Sequence, residues 1–412
     1  MSHFRLSRSS MFEQEPSSTN IKDLVDSLQS YANQFADNLA DVAKDLWDHP
    51  EIRFTEYHAA KRLTAELEDA GFEVTRGFGG LETAFVGKWS SASATADSPT
   101  LAVFCEYDAL EEVGHACGHN IIAASGLGAA KIAKADLEAD GKTGAHLVVI
   151  GSPGEEGGAG KVPLIENGVL EGVDYAVMIH PSNEEKVGGG SLARVALDVE
   201  FKGKASHAAA APEDGRNALD AATLSLNAIG LLRQQIKDDI RIHSIITNGG
   251  QAPNVIPELT GIRTFVRGSD SDYLLESVVP RVKNCFEAGA LATDCTVSIT
   301  STTPPYLSLK SNPTLVTIAE AAFSAVGRQT TPNELFSGST DMGNVSQVVP
   351  AIHPMIRLTQ DAPPHTREFA AAADGPDAKK TIIDGALILA ATLLAGFRDP
   401  EVVEEAKRTF NE

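Results

Sequence analysis

Three short apolar segments, each followed by side chains suited to metal binding or acid–base chemistry, constrain the fold of this chain most. The segments are residues 101–104, 146–150 and 175–179. The polar residues that follow them are, in order, Cys117 with His119, Glu155 with Glu156, and His180. Apolar runs of this length with polar neighbours are typical of buried strands. Because sites in α/β proteins gather beyond the carboxyl ends of parallel strands, the repetition predicts one site at the ends of three strands.

The spacing of apolar residues predicts the remaining elements. Steps of three and four indicate helices over residues 21–46 and 56–70, and an Ala- and Gly-rich segment indicates a closely packed helix over 121–137. Further helices are expected over 381–397 and within 157–170, the latter ending near Gly168. Between residues 195 and 299 the pattern reads strand, helix, strand, strand, helix, strand, which is a ferredoxin-like order.

These patterns predict a two-domain α/β protein. Residues 21–189 and 301–412 are expected to form a catalytic, metal-binding domain with a central, mostly parallel sheet. Residues 190–300 are expected to form an inserted ferredoxin-like α+β domain, and residues 1–20, rich in Ser, Asn, Glu and Pro, a disordered arm.

Composition excludes several functional classes. The formal net charge of -22 argues against binding to nucleic acid or to an anionic membrane, which both need a basic surface. Four cysteines in 412 residues do not make a disulfide framework, so we expect a reducing, cytoplasmic compartment. The longest apolar run, near residues 386–395, is about half the roughly 20 residues that span a bilayer, so a buried core helix is expected.

Five residues are candidate metal ligands: Cys117, His119, Glu156, His180 and His365. For the last of them, His353 is a nearby alternative. Cysteine together with histidine favours zinc or another late first-row ion over magnesium. More ligands than one tetrahedral ion needs suggest two ions, which could hold a water between them and polarise a carbonyl.

The adjacent pair Glu155 and Glu156 needs two roles, because neighbouring side chains do not bind one ion comfortably. One would be a ligand, and the other would take a proton from the attacking water and return it to the leaving amine. Asp108 could orient the imidazole of a ligand histidine.

Several separated segments resemble one known family. They are Cys117-Gly-His119 within GHACGHN, Pro153-Gly-Glu-Glu156, Ile179-His180 and Gly203-Lys-Ala-Ser-His207. Together they resemble the metal-dependent aminoacylase/carboxypeptidase-type peptidases, in the amidohydrolase branch. That branch contains auxin-conjugate hydrolases, the catalytic subunit of aminobenzoyl-glutamate hydrolase and β-alanyl-lysine-type dipeptidases. The resemblance covers about residues 20–400, and the segments occur in the family's order.

The resemblance implies a role for each matching residue. The five candidate ligands fall on the family's two-metal site, with Cys117 as the bridging group, and Glu155 falls on its general acid/base. Asp108 falls on the acidic residue that supports a ligand, and His207 on a histidine that enters the partner subunit's site to stabilise the oxyanion. Asn254 matches a substrate-binding segment, and Arg267 is a further candidate for the substrate carboxylate.

Two departures from the auxin-conjugate enzymes bear on the substrate. The segment Gly338-Ser-Thr-Asp-Met-Gly-Asn344 resembles the aminobenzoyl-glutamate and β-alanyl-dipeptide groups more closely, and Asn120 stands where many relatives have Asp. These departures argue against an auxin-type substrate.

From the composition and the resemblance together, we expect a cytoplasmic, homodimeric, metal-dependent amidohydrolase that cleaves an N-acyl or aminoacyl amino acid. Zinc is the expected metal, with manganese, cobalt or nickel as alternatives. Rival hypotheses are an N-carbamoyl or N-acetyl amino acid hydrolase and a non-catalytic, metal-stabilised binding subunit.

Overall fold

The computed structural model describes residues 20–331 and 338–412, so nearly all of the predicted arm lies outside the described residues. The strands are β1 (Glu73–Arg76), β2 (Phe85–Ser90), β3 (Thr100–Glu106), β4 (His146–Ser152), β5 (Tyr175–Val177), β6 (His180–Ser182), β7 (Ala193–Lys202), β8 (Arg241–Asn248), β9 (Leu259–Gly268), β10 (Thr296–Ser301), β11 (Ala351–Ile352) and β12 (Met355–Arg357). The helices are α1 (Ile21–Asp48), α2 (Tyr57–Asp69), α3 (His119–Asp140), α4 (Glu155–Gly158), α5 (Lys161–Glu166), α6 (Ala218–Leu232), α7 (Ser271–Tyr273), α8 (Val279–Ala292), α9 (Pro313–Ala325), α10 (Met342–Val345), α11 (Arg367–Ala372), α12 (Ala378–Arg398) and α13 (Pro400–Phe410).

A six-stranded sheet in the order β1-β2-β4-β3-β5-β11 forms the centre of the larger unit. Strands β4, β3, β5 and β11 run parallel, while β1 and β2 extend the sheet with antiparallel pairs. Phe104 on β3 lies opposite Ile150 on β4, and Val103 lies opposite Val177 on β5. The three apolar segments are therefore neighbours whose carboxyl ends meet at one edge, which confirms the predicted mostly parallel sheet.

Helices α1, α3 and α12 cover one face of this sheet in a single hydrophobic core. They approach closely: a Cβ added to Gly128 of α3 would lie 2.7 Å from a methyl group of Leu39 and 2.8 Å from Cβ of Ala386. Helix α12 has 21 residues and is long and apolar enough to cross a membrane, yet 89% of its most apolar window is buried inside the fold. It is a core helix, longer than the apolar run in its sequence.

A second, antiparallel sheet has the order β10-β7-β9-β8 and carries α6 and α8 on one face. These elements enclose a separate hydrophobic core, in which the rings of Phe201 and Phe286 lie 6.3 Å apart. Their order along the chain is the predicted ferredoxin-like order. The prediction of a two-domain α/β fold is confirmed.

The helix expected within 157–170, with its end near Gly168, is confirmed as α5; it begins at Lys161 because Gly157 (φ 79°) and Ala159 (φ 56°) hold the preceding residues out of helical geometry. Two other local expectations near the strand ends were wrong. The third apolar segment ends as a strand at Val177, and His180 begins β6, which pairs with β12 in a separate two-stranded sheet. His119 is the first residue of α3 and does not precede that helix.

Candidate active site

The five predicted ligand side chains converge beyond the ends of β3, β4 and β5. Cys117 Sγ lies 3.5 Å from His180 Nε2 and 3.4 Å from His365 Nε2. Glu156 Oε1 lies 3.3 Å from His365 Nε2 and 3.9 Å from His119 Nε2. Cys117 is thus central to the cluster, which is the place that a bridging ligand would need.

Two glycines in left-handed conformations shape the turns that carry these ligands. Gly118 has φ 74° and turns the chain from Cys117 into α3; a Cβ there would lie 2.5 Å from Cγ of Pro181. Gly154 has φ 69° directly before the glutamate pair, and a Cβ there would lie 2.6 Å from the Phe54 ring. Any larger residue at either position would be strained in φ and would also displace a neighbouring side chain.

Hydrogen bonds fix the ring orientations of two histidines. Asp108 Oδ1 lies 2.9 Å from His119 Nδ1, and its Oδ2 accepts the backbone N–H of Glu156 at 2.8 Å. His180 Nδ1 donates to the carbonyl oxygen of Pro181 at 2.7 Å, so its neutral form presents an unprotonated Nε2 to Cys117. Burial, followed by the nearby His119, lowers the pKa of His180 to about 4 and favours that neutral form.

The donor atoms fit a divalent cation. His119 Nε2, Glu156 Oε1 and Glu106 Oε2 are buried, and none has a hydrogen-bond partner in the described part of the chain. Buried polar atoms are nearly always satisfied, so three orphaned atoms around one point indicate a missing positive charge. Cysteine, histidine and carboxylate are the donor types of zinc sites. The candidates to hold such ions are the five predicted ligands, with Glu106 beside them.

Glu155 is buried beside the cluster, and its carboxylate lies near the side chains of His119 and Glu156. Burial, followed by the charges of Glu106 and Glu156, raises the pKa of Glu155 well above its usual value. Its backbone oxygen accepts the hydroxyl of Tyr306 at 2.5 Å. Tyr306, which the sequence analysis did not single out, therefore anchors the turn that carries both glutamates.

The two candidates for the last ligand lie in different places. His365 contacts Cys117 and Glu156, and it is held with φ 70° by a 2.8 Å bond from its N–H to the oxygen of Ala116. A left-handed φ at a residue other than glycine is strained, and such strain is concentrated at functional sites. His353 is buried behind His180 at a ring distance of 5.4 Å. The geometry favours His365.

The three predicted residues of the second sheet and its loops do not join this cluster within one chain. His207 and Asn254 are exposed neighbours, with the N–H of Ala208 donating to the oxygen of Asn254 at 3.0 Å. Nδ1 of His207 accepts the N–H groups of Ala209 and Ala210, so its neutral ring carries the proton on Nε2. Arg267 is half-buried on β9 and donates to Ser339 Oγ at 2.9 Å.

A buried ion triad beneath the cluster was missed by the sequence analysis. Lys161 Nζ is fully buried between Glu106 and Asp341, with its bond to Asp341 Oδ1 at 2.6 Å. The backbone N–H of Lys161 also donates to Asp341 Oδ2 at 3.0 Å. The position of Glu106 at the end of β3 was the available signal. Lys161 lies 55 residues after Glu106 in the sequence, and Asp341 lies 180 residues after Lys161.

Replacing Lys161 with methionine is expected to destabilise the fold by about 3–5 kcal/mol, because the two buried carboxylates lose the cation that pairs them. Urea unfolding of the purified variant measures this change. Lys22→Met is the matched control, since Lys22 pairs with Asp26 on an exposed helix face and its loss should leave the unfolding midpoint unchanged. An unchanged midpoint for Lys161→Met would contradict the assigned role of the triad.

Comparison with known proteins identifies the family to which this chain belongs. Residues 99–393 match the family described as Peptidase family M20/M25/M40. The chain is 38% identical over 389 residues to Xaa-Arg dipeptidase of Mus musculus, covering 92% of this chain and 90% of that protein. It is 37% identical over 279 residues to one of the subunits of p-aminobenzoyl-glutamate hydrolase of Escherichia coli (strain K12), covering 62% of this chain and 56% of that protein.

Among solved structures, the fold resembles a dinuclear metal binding peptidase from the M20 family of Bacillus subtilis. The TM-score is 0.67 at 20% sequence identity, over 89% of this chain and 99% of that one. The family predicted from the segments around Cys117, Glu156, His180 and His207 is thereby confirmed. This chain belongs to peptidase family M20/M25/M40.

Proposed function

We propose that this protein hydrolyses the amide bond of a dipeptide or an N-acyl amino acid at a two-metal site. Its family makes it a hydrolase acting on carbon–nitrogen bonds, and its relatives support metal-dependent cleavage of dipeptides and acyl amino acids. The single observation that carries the proposal is the convergence of Cys117, His119, Glu156, His180 and His365 beside the buried carboxyl of Glu155.

The five converging side chains would hold the ions, with Cys117 between them. When bound, such ions supply an activated water and polarise the scissile carbonyl. Zinc is the proposed metal, because thiolate and imidazole donors suit it, with manganese, cobalt or nickel as alternatives. The description of the similar Bacillus subtilis peptidase as dinuclear supports the count of two.

The chain's own residues would move the protons and hold the substrate. Glu155 would accept the proton of the attacking water and deliver it to the leaving amine. Asp108 would keep His119 in the tautomer and orientation that a ligand requires, as its 2.9 Å contact with Nδ1 allows. Asn254 and Arg267 would bind the carbonyl or carboxylate of the substrate, in line with the family resemblance.

We further propose that the active form is a homodimer, in which His207 of one protomer completes the site of the other. His207 is exposed and lies outside the cluster of its own chain, and its Nε2–H is a donor suited to an oxyanion. Residues 190–300 would then be the dimerisation and lid domain. Strand β8 supports this, since it is an edge strand with exposed Ile245 and Ile246.

A cytoplasmic location is proposed on the same grounds as the chemistry. All four cysteines are free thiols, and Cys117 must be reduced to bind a metal. Two rival functions use the same residues: hydrolysis of an N-carbamoyl or N-acetyl amino acid, and substrate binding without turnover. Nothing in the geometry favours either, so both serve as outcomes of the experiment below.

Removing the metal is expected to abolish turnover, with activity restored by adding zinc or manganese. Elemental analysis of the purified chain should find about two ions per protomer, and a panel of dipeptides, N-acyl amino acids and p-aminobenzoyl-glutamate should include a chelator-sensitive substrate. Cys117→Ser should lower the metal content, while Cys285→Ser, in the second sheet's core, serves as the control. Stoichiometric metal without cleavage would favour binding without turnover, and a chain that takes up no metal would disprove the site.

A further inference from the structure

Arg194, Arg267 and Arg241 form a row of arginines across the second sheet. In the register of the strands, Arg194 on β7 lies directly opposite Arg267 on β9, and Arg267 lies directly opposite Arg241 on β8. Residues directly opposite each other share one face, and like charges in such pairs are destabilising. The outermost, Arg241, is exposed and donates to backbone oxygens of Asp238 and Ile240. Arg194 and Arg267 are half-buried.

Neither Arg194 nor Arg267 forms an ion pair with any residue in 20–331 or 338–412, although the chain has 56 acidic residues against 34 Lys and Arg. Nε of Arg194 is buried without a hydrogen-bond partner among these residues. Farther along the same two strands the pattern differs, since Arg263 lies opposite Asp198 and bonds it at 2.8 Å. Two adjacent cations that lack a counter-charge indicate a place for an anion.

Arg194 and Arg267 each contact a residue that neighbours the predicted active site. The guanidinium of Arg194 stacks on the Tyr306 ring at 4.0 Å, and the two residues exchange backbone hydrogen bonds at 2.9 and 3.0 Å. The hydroxyl of Tyr306 in turn donates to the backbone oxygen of Glu155. Arg267 is tied to Ser339, two residues before the Asp341 that holds Lys161. Tyr306 therefore links Arg194 to the turn that carries Glu155, and Ser339 links Arg267 to the segment that holds Lys161.

We propose that Arg194 and Arg267 form a subsite for a dianionic leaving group, an amino acid with an acidic side chain such as glutamate or aspartate. This inference rests on the proposed amide hydrolysis and names its substrate class. Two guanidinium groups match the two carboxylates of such a residue in charge, and each can bind one carboxylate through two hydrogen bonds. A leaving residue with a cationic side chain would meet two like charges here.

The test compares p-aminobenzoyl-glutamate with p-aminobenzoyl-glutamine and p-aminobenzoyl-arginine. The glutamine conjugate lacks the side-chain carboxylate, and the arginine conjugate carries a positively charged side chain instead. The wild type should prefer the glutamate conjugate. Arg194→Gln should lower kcat/KM for that conjugate roughly 10- to 100-fold, mainly through KM, which is the contribution of a charge-assisted hydrogen bond. The same variant should change kcat/KM for the glutamine conjugate little, and Arg194→Lys should restore part of the loss.

Arg263→Gln is the matched control, because it removes an arginine from the same face of β9 whose partner is Asp198. Its kinetics should equal those of the wild type. Equal cleavage of all three conjugates, or an equal loss for glutamate and glutamine in Arg194→Gln, would overturn the proposal. If no conjugate is cleaved, calorimetry with p-aminobenzoyl-glutamate decides. Binding that depends on Arg194 would support the subsite while the proposed function fails, and no binding would refute the subsite.

Discussion

Replacing Glu155 with glutamine is expected to lower kcat for amide hydrolysis by about 10²- to 10⁴-fold, the range that a positioned acid–base group contributes. Glutamine keeps the volume of the side chain and its hydrogen-bonding oxygen, but it cannot accept the proton of the attacking water. The hydroxyl of Tyr306 holds the backbone of residue 155, so the turn should keep its shape. Metal content should be retained, because Glu156 supplies the ligand oxygen in this interpretation.

The measurement combines steady-state kinetics on the best substrate of the panel with elemental analysis of the same preparation. Glu166→Gln is the control, since Glu166 is an exposed glutamate at the end of α5, outside the cluster. A Glu155→Gln variant that keeps more than about a tenth of the wild-type kcat would contradict the role of Glu155 as acid/base. Loss of both metal and activity in Glu155→Gln would indicate that Glu155 binds a metal ion and does not act as the acid/base.

The convergence of the candidate ligands was the feature of this site most open to prediction from sequence. An apolar strand followed at once by a polar ligand is a local pattern, and parallel strands bring such ends together. Here β3 pairs in parallel with β4 and β5, and this pairing brings together the segments that hold Cys117 and Glu156. Local pattern predicted the end of α5 but not its start, because the positive φ at Gly157 and Ala159 that delays the helix to Lys161 is not visible in composition alone.

Interactions between distant segments were beyond the reach of local pattern. Lys161 gives no hint in sequence that it is buried between Glu106 and Asp341, because each partner lies on a different element. Asn120 is a second case. Its amide donates to the carbonyl oxygens of Ala43 and Ala373, at 3.2 and 3.1 Å, and so ties α3 to its neighbours. An aspartate could not donate these two hydrogen bonds. They therefore explain why asparagine stands at position 120.

Mixing two inactive variants is expected to restore activity if His207 acts in the partner's site. His207→Ala alone should lose about 10²- to 10³-fold in kcat, the cost of removing one oxyanion donor, and Glu155→Gln should be similarly impaired. In a heterodimer of the two, the His207→Ala protomer keeps Glu155 and receives His207 from its partner. One intact site results. Random pairing yields heterodimers in about half of the dimers, so the mixture should reach about a quarter of wild-type activity.

Co-expression of the two variants with different affinity tags, followed by tandem purification, isolates the heterodimer for this assay. The structure gives the reason for expecting rescue: His207 and Asn254 lie together on an exposed loop pair, and neither contacts Cys117 or Glu156 of its own chain.

The control heterodimer pairs Glu155→Gln with Cys117→Ser, two substitutions in the same site. That heterodimer should stay inactive, because each of its sites lacks one essential group. If His207 instead served its own protomer through closure of the second sheet onto the cluster, the mixture of His207→Ala and Glu155→Gln would also stay inactive. The two heterodimers therefore separate a shared site from a moving lid.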